Sequence, residues 1–128
     1  MPASSIPEDV RRFLDERIDS AEQLDILLLL ASAPERSWTA RDVSQAVYTV
    51  PASATLRLES LVVAGLLASS GTGDPEYRYA PATDALRVSV ERLAEVYRAN
   101  RVVVITSLFQ KPASPVQSFA DAFRLRRD

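Results

Sequence analysis

The stretch from Thr39 to Leu67, TARDVSQAVYTVPASATLRLESLVVAGLL, is opened, divided and closed by residues with strong backbone preferences, and it constrains the fold more than any other part of the chain. Thr39 followed by Asp42 is an N-cap pair that opens a helix from Ala40 to about Tyr48, with Val43, Ala46 and Val47 on its inner face. Pro51 pushes the residue before it out of the helical region, so TVPAS reads as a turn. Ser53 then reads as the cap of a second helix running to Ala64. That helix stops at Gly65, the residue best suited to a left-handed C-terminal position.

The flanking segments extend this pattern. Pro7, Glu8 and Asp9 suit the first turn of a helix, and Ile6, Val10, Phe13 and Leu14 form one apolar stripe along it to about Ile18. Ser20 with Gln23 resembles a capping box for a mostly buried helix, Ala21 to Ala33, stopped by Pro34. RSWT is short and extended. LLASS, GTGDP and EYRYA read as strand, turn and strand, with Gly71, Gly73 and Pro75 supplying the turn. Thr83 and Asp84 open a long helix to about Phe109, along which Leu86, Val90, Leu93, Tyr97, Asn100, Val104 and Leu108 are spaced as nearly a heptad seam. The expected organisation is an N-terminal helix in 1–19, a central unit in 20–82, the long helix in 83–109 and a Pro-hinged tail with a short amphipathic helix in 110–128.

Composition sets the chemical limits. The 128 residues are 47% apolar and 25% charged, the make-up of a globular domain with one core. Cysteine and histidine are absent, which removes disulfides, thiolate nucleophiles, histidine bases and the common zinc sites. Acidic pairs such as Glu8 with Asp9 and Asp15 with Glu16 fall on amphipathic helix surfaces, where solvated charge explains them. GTG lies in a hairpin turn, without the strand-to-helix context of a phosphate loop. We therefore expect neither an enzyme nor a cofactor or metal requirement. The opening residues lack a secretion pattern and the longest apolar run is Ile26 to Ala31, so the expectation is a cytoplasmic protein, with membrane association not expected.

Helix, helix, short strand, helix, turn, helix, hairpin and long helix is the order of a winged helix-turn-helix domain: mainly α with a small β-hairpin wing, plus a long C-terminal helix. Residues 20–82 resemble the winged-helix core of MarR-type bacterial transcriptional regulators. The resemblance is carried by TARDVSQAV, the five-residue turn and LESLVVAGLL, where Leu58, Leu61, Gly65 and Leu66 match the family's core leucines and the Gly-Leu leading into the wing. It implies a dimeric DNA-binding regulator, with the long helix as the dimerisation helix. It places Ser53, Thr55, Leu56 and Ser60 on the face that meets the major groove, and Arg41, Arg57 and Arg78 are the candidates for phosphate contact.

Several residues depart from that pattern. The net charge is −2, where a DNA-binding domain usually carries a basic excess. Base readout prefers Arg, Lys, Asn and Gln, whereas this helix offers small hydroxyls, a leucine and the single Arg57. Asp74 and Glu76 stand in the wing, where each acid near a phosphate adds roughly 1 kcal/mol of repulsion even in a water-like dielectric. A second function class therefore stays open, a protein-interaction adaptor on the same scaffold that binds no DNA. It would use Leu56, Val62 and Val63 as an exposed apolar patch, unless the flanking helices cover them, or the tail, where Phe119 and Phe123 lie four apart before Arg124, Arg126 and Arg127. The stripe Leu86, Val90, Leu93, Tyr97, Asn100 and Val104 is read as a homodimer seam in which Asn100 sets register, with packing against the N-terminal helix as the other explanation.

Overall fold

A computed structural model describes residues 6–109. The tail with Phe119 and Phe123 lies outside them. Six helices and three strands follow in the order α1 (Glu8–Arg17), α2 (Ala21–Ala31), β1 (Trp38–Thr39), α3 (Ala40–Ala46), α4 (Pro51–Val63), β2 (Leu67–Ser70), β3 (Glu76–Tyr79), α5 (Asp84–Ala99) and α6 (Arg101–Phe109).

The sheet is antiparallel in the order β1-β3-β2. Trp38 lies opposite Tyr77 on one side of β3, and Leu67 opposite Tyr79 on the other. Gly71 and Gly73, both at positive φ, turn the hairpin. RSWT therefore contributes a third strand beside the expected hairpin, and its Trp38 is buried in the core.

That core is continuous. Val10, Phe13 and Leu14 of α1, Leu24, Leu27 and Leu30 of α2, Val43 of α3, Leu58 and Leu61 of α4, Tyr77 of β3 and Leu93 of α5 all belong to it. Polar contacts fix how the helices lie. Arg17 donates to the Ala64 carbonyl at 2.5 Å, binding the end of α1 to the end of α4. Arg92 of α5 pairs with Asp9 of α1, and the Tyr97 hydroxyl donates to Asp25 of α2 at 2.9 Å.

Local rules account for most of the element ends. Thr39 and Asp42 form the reciprocal capping box of α3. At the end of α4 the Gly65 amide donates to the Val62 carbonyl and the Leu66 amide to the Leu61 carbonyl, both at 3.0 Å. This paired closure needs a left-handed residue, and Gly65 supplies it at φ 84°.

Other expectations are corrected. Helix α4 begins three residues earlier than expected, with Val50 as N-cap and Pro51 in the first turn, so Ser53 lies inside the helix and does not cap it. Proline at the first helical position sacrifices no hydrogen bond and arrives with helical φ already set. In α2, Ser20 caps Gln23 as expected, but Gln23 Oε1 accepts from the Asp19 amide, one residue before the expected reciprocal partner. Helix α3 ends at Ala46, and Ala46 is exposed while Ser44 takes the buried place.

The long C-terminal helix is two helices. Asn100 leaves helical geometry at φ −155°, ψ 80°, and its side-chain oxygen accepts from the Val103 amide at 3.2 Å, capping α6. Asparagine competes well for backbone hydrogen bonds outside a helix, and the β-branched run Val102 to Ile105 that follows is a weak helix former. Asn100 is therefore an exposed helix breaker at the junction of α5 and α6. Val90, Leu93 and Val104 are buried within their own chain, and Leu86, Val96 and Tyr97 are packed against the same core. One chain therefore covers the stripe in part: Leu86, Tyr97 and Leu108 stay partly exposed.

Candidate nucleic-acid interface

Helix α4 has two faces that differ in what they touch. Ala54, Leu58 and Leu61 lock its inner face into the core. One flank turns toward α2: Ser53 Oγ donates to Glu22 Oε1 at 2.6 Å, Arg57 Nε donates to the same oxygen at 2.9 Å, and Ser60 Oγ accepts from Gln23 Nε2 at 2.9 Å. The Ser53 hydrogen bond, the largest cause, with those from Thr49 and Arg57 holds the Glu22 carboxyl down from 4.5 to about 2.

The outward face carries Ala52, Thr55, Leu56, Glu59 and Val63, all exposed. Their spacing of three and four residues puts them on one stripe. No cation lies on it. Glu59 is held from the wing side, where the buried Tyr77 hydroxyl donates to its Oε2. Burial, with the Glu59 carboxylate as a second cause, pushes the Tyr77 hydroxyl up to about 12, so it stays a donor.

Of the six residues expected to face a nucleic acid, Thr55 of α4, Arg41 of α3 and Arg78 of β3 are exposed. Arg41 and Arg78 make no ion pair among the described residues, so both guanidinium groups stand free. Ser53, Arg57 and Ser60 instead spend their polar atoms on α2, and only 36% of the Arg57 side chain is exposed. The expected place of Ser53 and Ser60 on the outward face is corrected, and Arg57, expected at phosphate, lies with them: the rotation of α4 set by Leu58 and Leu61 puts all three on its flank. In the wing, Glu76 and Arg78 point to one side of β3 and the buried Tyr77 to the other, the alternation of a half-covered strand. Asp74 in the turn is exposed.

Sequence reasoning missed Glu59 and Tyr77. Glu59 carried a signal, since it lies four residues from Thr55; its link to Tyr77 crosses 18 residues and had none. The apolar patch expected at Leu56, Val62 and Val63 is present in part. Leu56 is 64% and Val63 86% exposed, whereas Val62 packs against the core. Tyr48 at 94% and Val50 at 60%, in the turn between α3 and α4, add to the exposed apolar surface. Tyr48 also has φ 60°, a left-handed conformation that an aromatic residue adopts only where its surroundings impose it.

A cavity of about 420 Å³ opens between α2, β3 and α5, lined by Leu28, Ala31, Tyr79, Val90, Ala94 and Tyr97 among others. The Tyr79 hydroxyl is buried without a hydrogen-bond partner among the described residues. No group of His, Cys, Asp or Glu among those residues could hold a metal ion, and no helix among them is long and apolar enough to cross a membrane.

No protein-family model and no curated protein matches the chain. Solved structures do. The DNA complex of MepR from S. aureus is similar with a TM-score of 0.56 and 14% identity, over 94% of this chain and 88% of that one. The YusO protein of Bacillus subtilis gives 0.54 and 13%, over 93% and 80%. The multiple antibiotic-resistance repressor MarR of Listeria monocytogenes gives 0.52 and 13%, over 93% and 77%. The chain has the MarR-type winged-helix fold. In that fold α3 and α4 are the helix-turn-helix, β2 and β3 are the wing, and α1, α5 and α6 form the helical layer beside them. At such identities the likeness is one of architecture, and the surface of this winged helix is its own.

Proposed function

We propose that the chain is a non-enzymatic transcriptional regulator that binds duplex DNA as a homodimer, with α4 directed into the major groove and the β2–β3 wing beside it. The observation that carries this reading is the exposed outward face of α4, together with the exposed, unpaired Arg41 of α3 and Arg78 of β3. In helix-turn-helix proteins the second helix enters the major groove while the first crosses the backbone, which suits Thr55 for bases and Arg41 for phosphate. A solved structure of the same fold, that of MepR, is a DNA complex. Dimerisation is part of the proposal because paired half-sites one helical turn apart are how such small readers reach useful affinity. A cytoplasmic location follows from acting on DNA, and no cofactor is needed.

The test is binding of the purified chain to duplex DNA before and after Arg41→Ala with Arg78→Ala. Loss of binding in the double variant supports the reading, and unchanged binding contradicts it.

A second reading is favoured by Tyr48, Val50, Leu56 and Val63, whose exposure gives the helix-turn-helix an apolar surface. On that reading the scaffold is an adaptor that binds protein and no DNA. Leu56→Glu with Val63→Glu would then abolish partner capture, and a chain that captures no partner would exclude it.

A further inference from the structure

The outward face of α4 has a chemical character of its own. Along the helix, no Lys, Asn or Gln occurs, and the one Arg is bound to Glu22 on the flank. The face therefore lacks the groups that make paired hydrogen bonds to guanine or adenine. It offers the methyl group of Thr55, the isobutyl group of Leu56 and the carboxylate of Glu59. In the major groove, apolar groups contact the C5-methyl of thymine, and a carboxylate accepts from the N4 amino group of cytosine. Both targets lie on pyrimidines.

We infer that α4 reads pyrimidine edges: Thr55 and Leu56 contact thymine methyl groups and Glu59 accepts from a cytosine amino group nearby. Thr55 and Glu59 are one turn apart, about 6 Å along the helix axis at 1.5 Å per residue. That rise matches about two base steps of 3.4 Å, so the contacted thymine and cytosine fall within two to three steps of each other.

Tyr77 prepares the contact. Its hydroxyl occupies Glu59 Oε2 and leaves Oε1 to accept the amino hydrogen. Because Tyr77 is buried, the carboxylate is held in one place without losing its exposure. The wing thus acts as a positioning element for a base-reading residue, in addition to any phosphate contact through Arg78.

This inference rests on the DNA-binding reading, and one experiment separates their failures. The full chain is used to select from a random duplex pool at low salt, and the selected sites are resynthesised with uracil for thymine, which deletes only the methyl group. The expected result is enrichment of thymine and cytosine within three positions of each other, with about tenfold weaker binding on uracil substitution or on replacing the cytosine pair. Glu59→Gln should move the preference at that position from cytosine to adenine, since an amide both donates and accepts. Tyr77→Phe should flatten the cytosine preference several-fold while leaving binding to unselected duplex unchanged. Duplex binding with no preference, or a preference for a cytosine·guanine pair that Glu59→Gln leaves unchanged, overturns the inference and leaves the proposed function standing. Absence of any duplex binding at low salt overturns both.

Discussion

Glu22→Gln removes one negative charge and little else, and the structure allows its effect to be worked out. Glu22 Oε1 accepts from Ser53 and Arg57, joining the first turn of α2 to the flank of α4. Holding the carboxyl at about 2 where its ordinary value is 4.5 corresponds to about 3 kcal/mol at 1.36 kcal/mol per pH unit. The Glu22 side chain keeps 27% of its exposure and Arg57 36%, so solvent screening brings the expected contribution to about 1–2 kcal/mol. Because the folded value is depressed, the stabilisation is complete above pH 4.5 and is lost as pH falls toward 2. About two-fifths of it is gone by pH 3.5. Thermal denaturation at pH 7 should show Glu22→Gln melting about 3–10 °C below the native chain. The gap should narrow measurably at pH 3.5. Equal melting temperatures at pH 7, or a gap of the same size at both pH values, would refute the assignment of this carboxylate as an ionised link between the helices.

Further outcomes follow from other sites. Gly65→Ala should destabilise by about 1–2 kcal/mol in urea denaturation, because φ is +84° while the added methyl would meet Ala82 and Leu86 only at ordinary contact distances of 3.6 Å. Tyr79→Phe should cost less than about 0.5 kcal/mol in the same assay, since it removes a buried hydroxyl with no partner among the described residues. A loss above about 1.5 kcal/mol would mean that this hydroxyl makes a hydrogen bond in solution. In DNA titrations across salt concentrations, Arg41→Ala and Arg78→Ala should each reduce the slope of log affinity against log salt by about 1 per protomer, and Arg57→Ala should leave it unchanged.

The contrast between Arg57 and Arg78 shows what was legible in the sequence. Signals confined to a few neighbouring residues were readable, because capping and left-handed closure are local physics. Thr39 with Asp42 and Gly65 behave as their residue types dictate. The direction of Arg57 was not legible, since it depends on Glu22, 35 residues away, and on a helix rotation set by core leucines. Ser53 was misplaced because a good capping residue follows a first-turn proline by two positions, and proline determined where the helix began. The break at Asn100 escaped notice for a different reason: apolar spacing runs through a single non-helical residue almost unchanged, so periodicity reads two helices as one. The wing strands were visible from alternation and glycines. The hydrogen bond that joins Tyr77 to Glu59 has no sequence trace.

Direct titration of fluorescent random-sequence duplex with the full chain, at low and near-physiological salt, tests the central claim most plainly. Arg41 and Arg78, the two cations assigned to phosphate in each protomer, predict saturable binding at low salt that weakens with a log–log slope of about −2 per protomer, or about −4 for a dimer. No binding at low salt, where attraction to phosphate is strongest, would contradict the account and assign the winged helix to protein recognition through Leu56 and Val63.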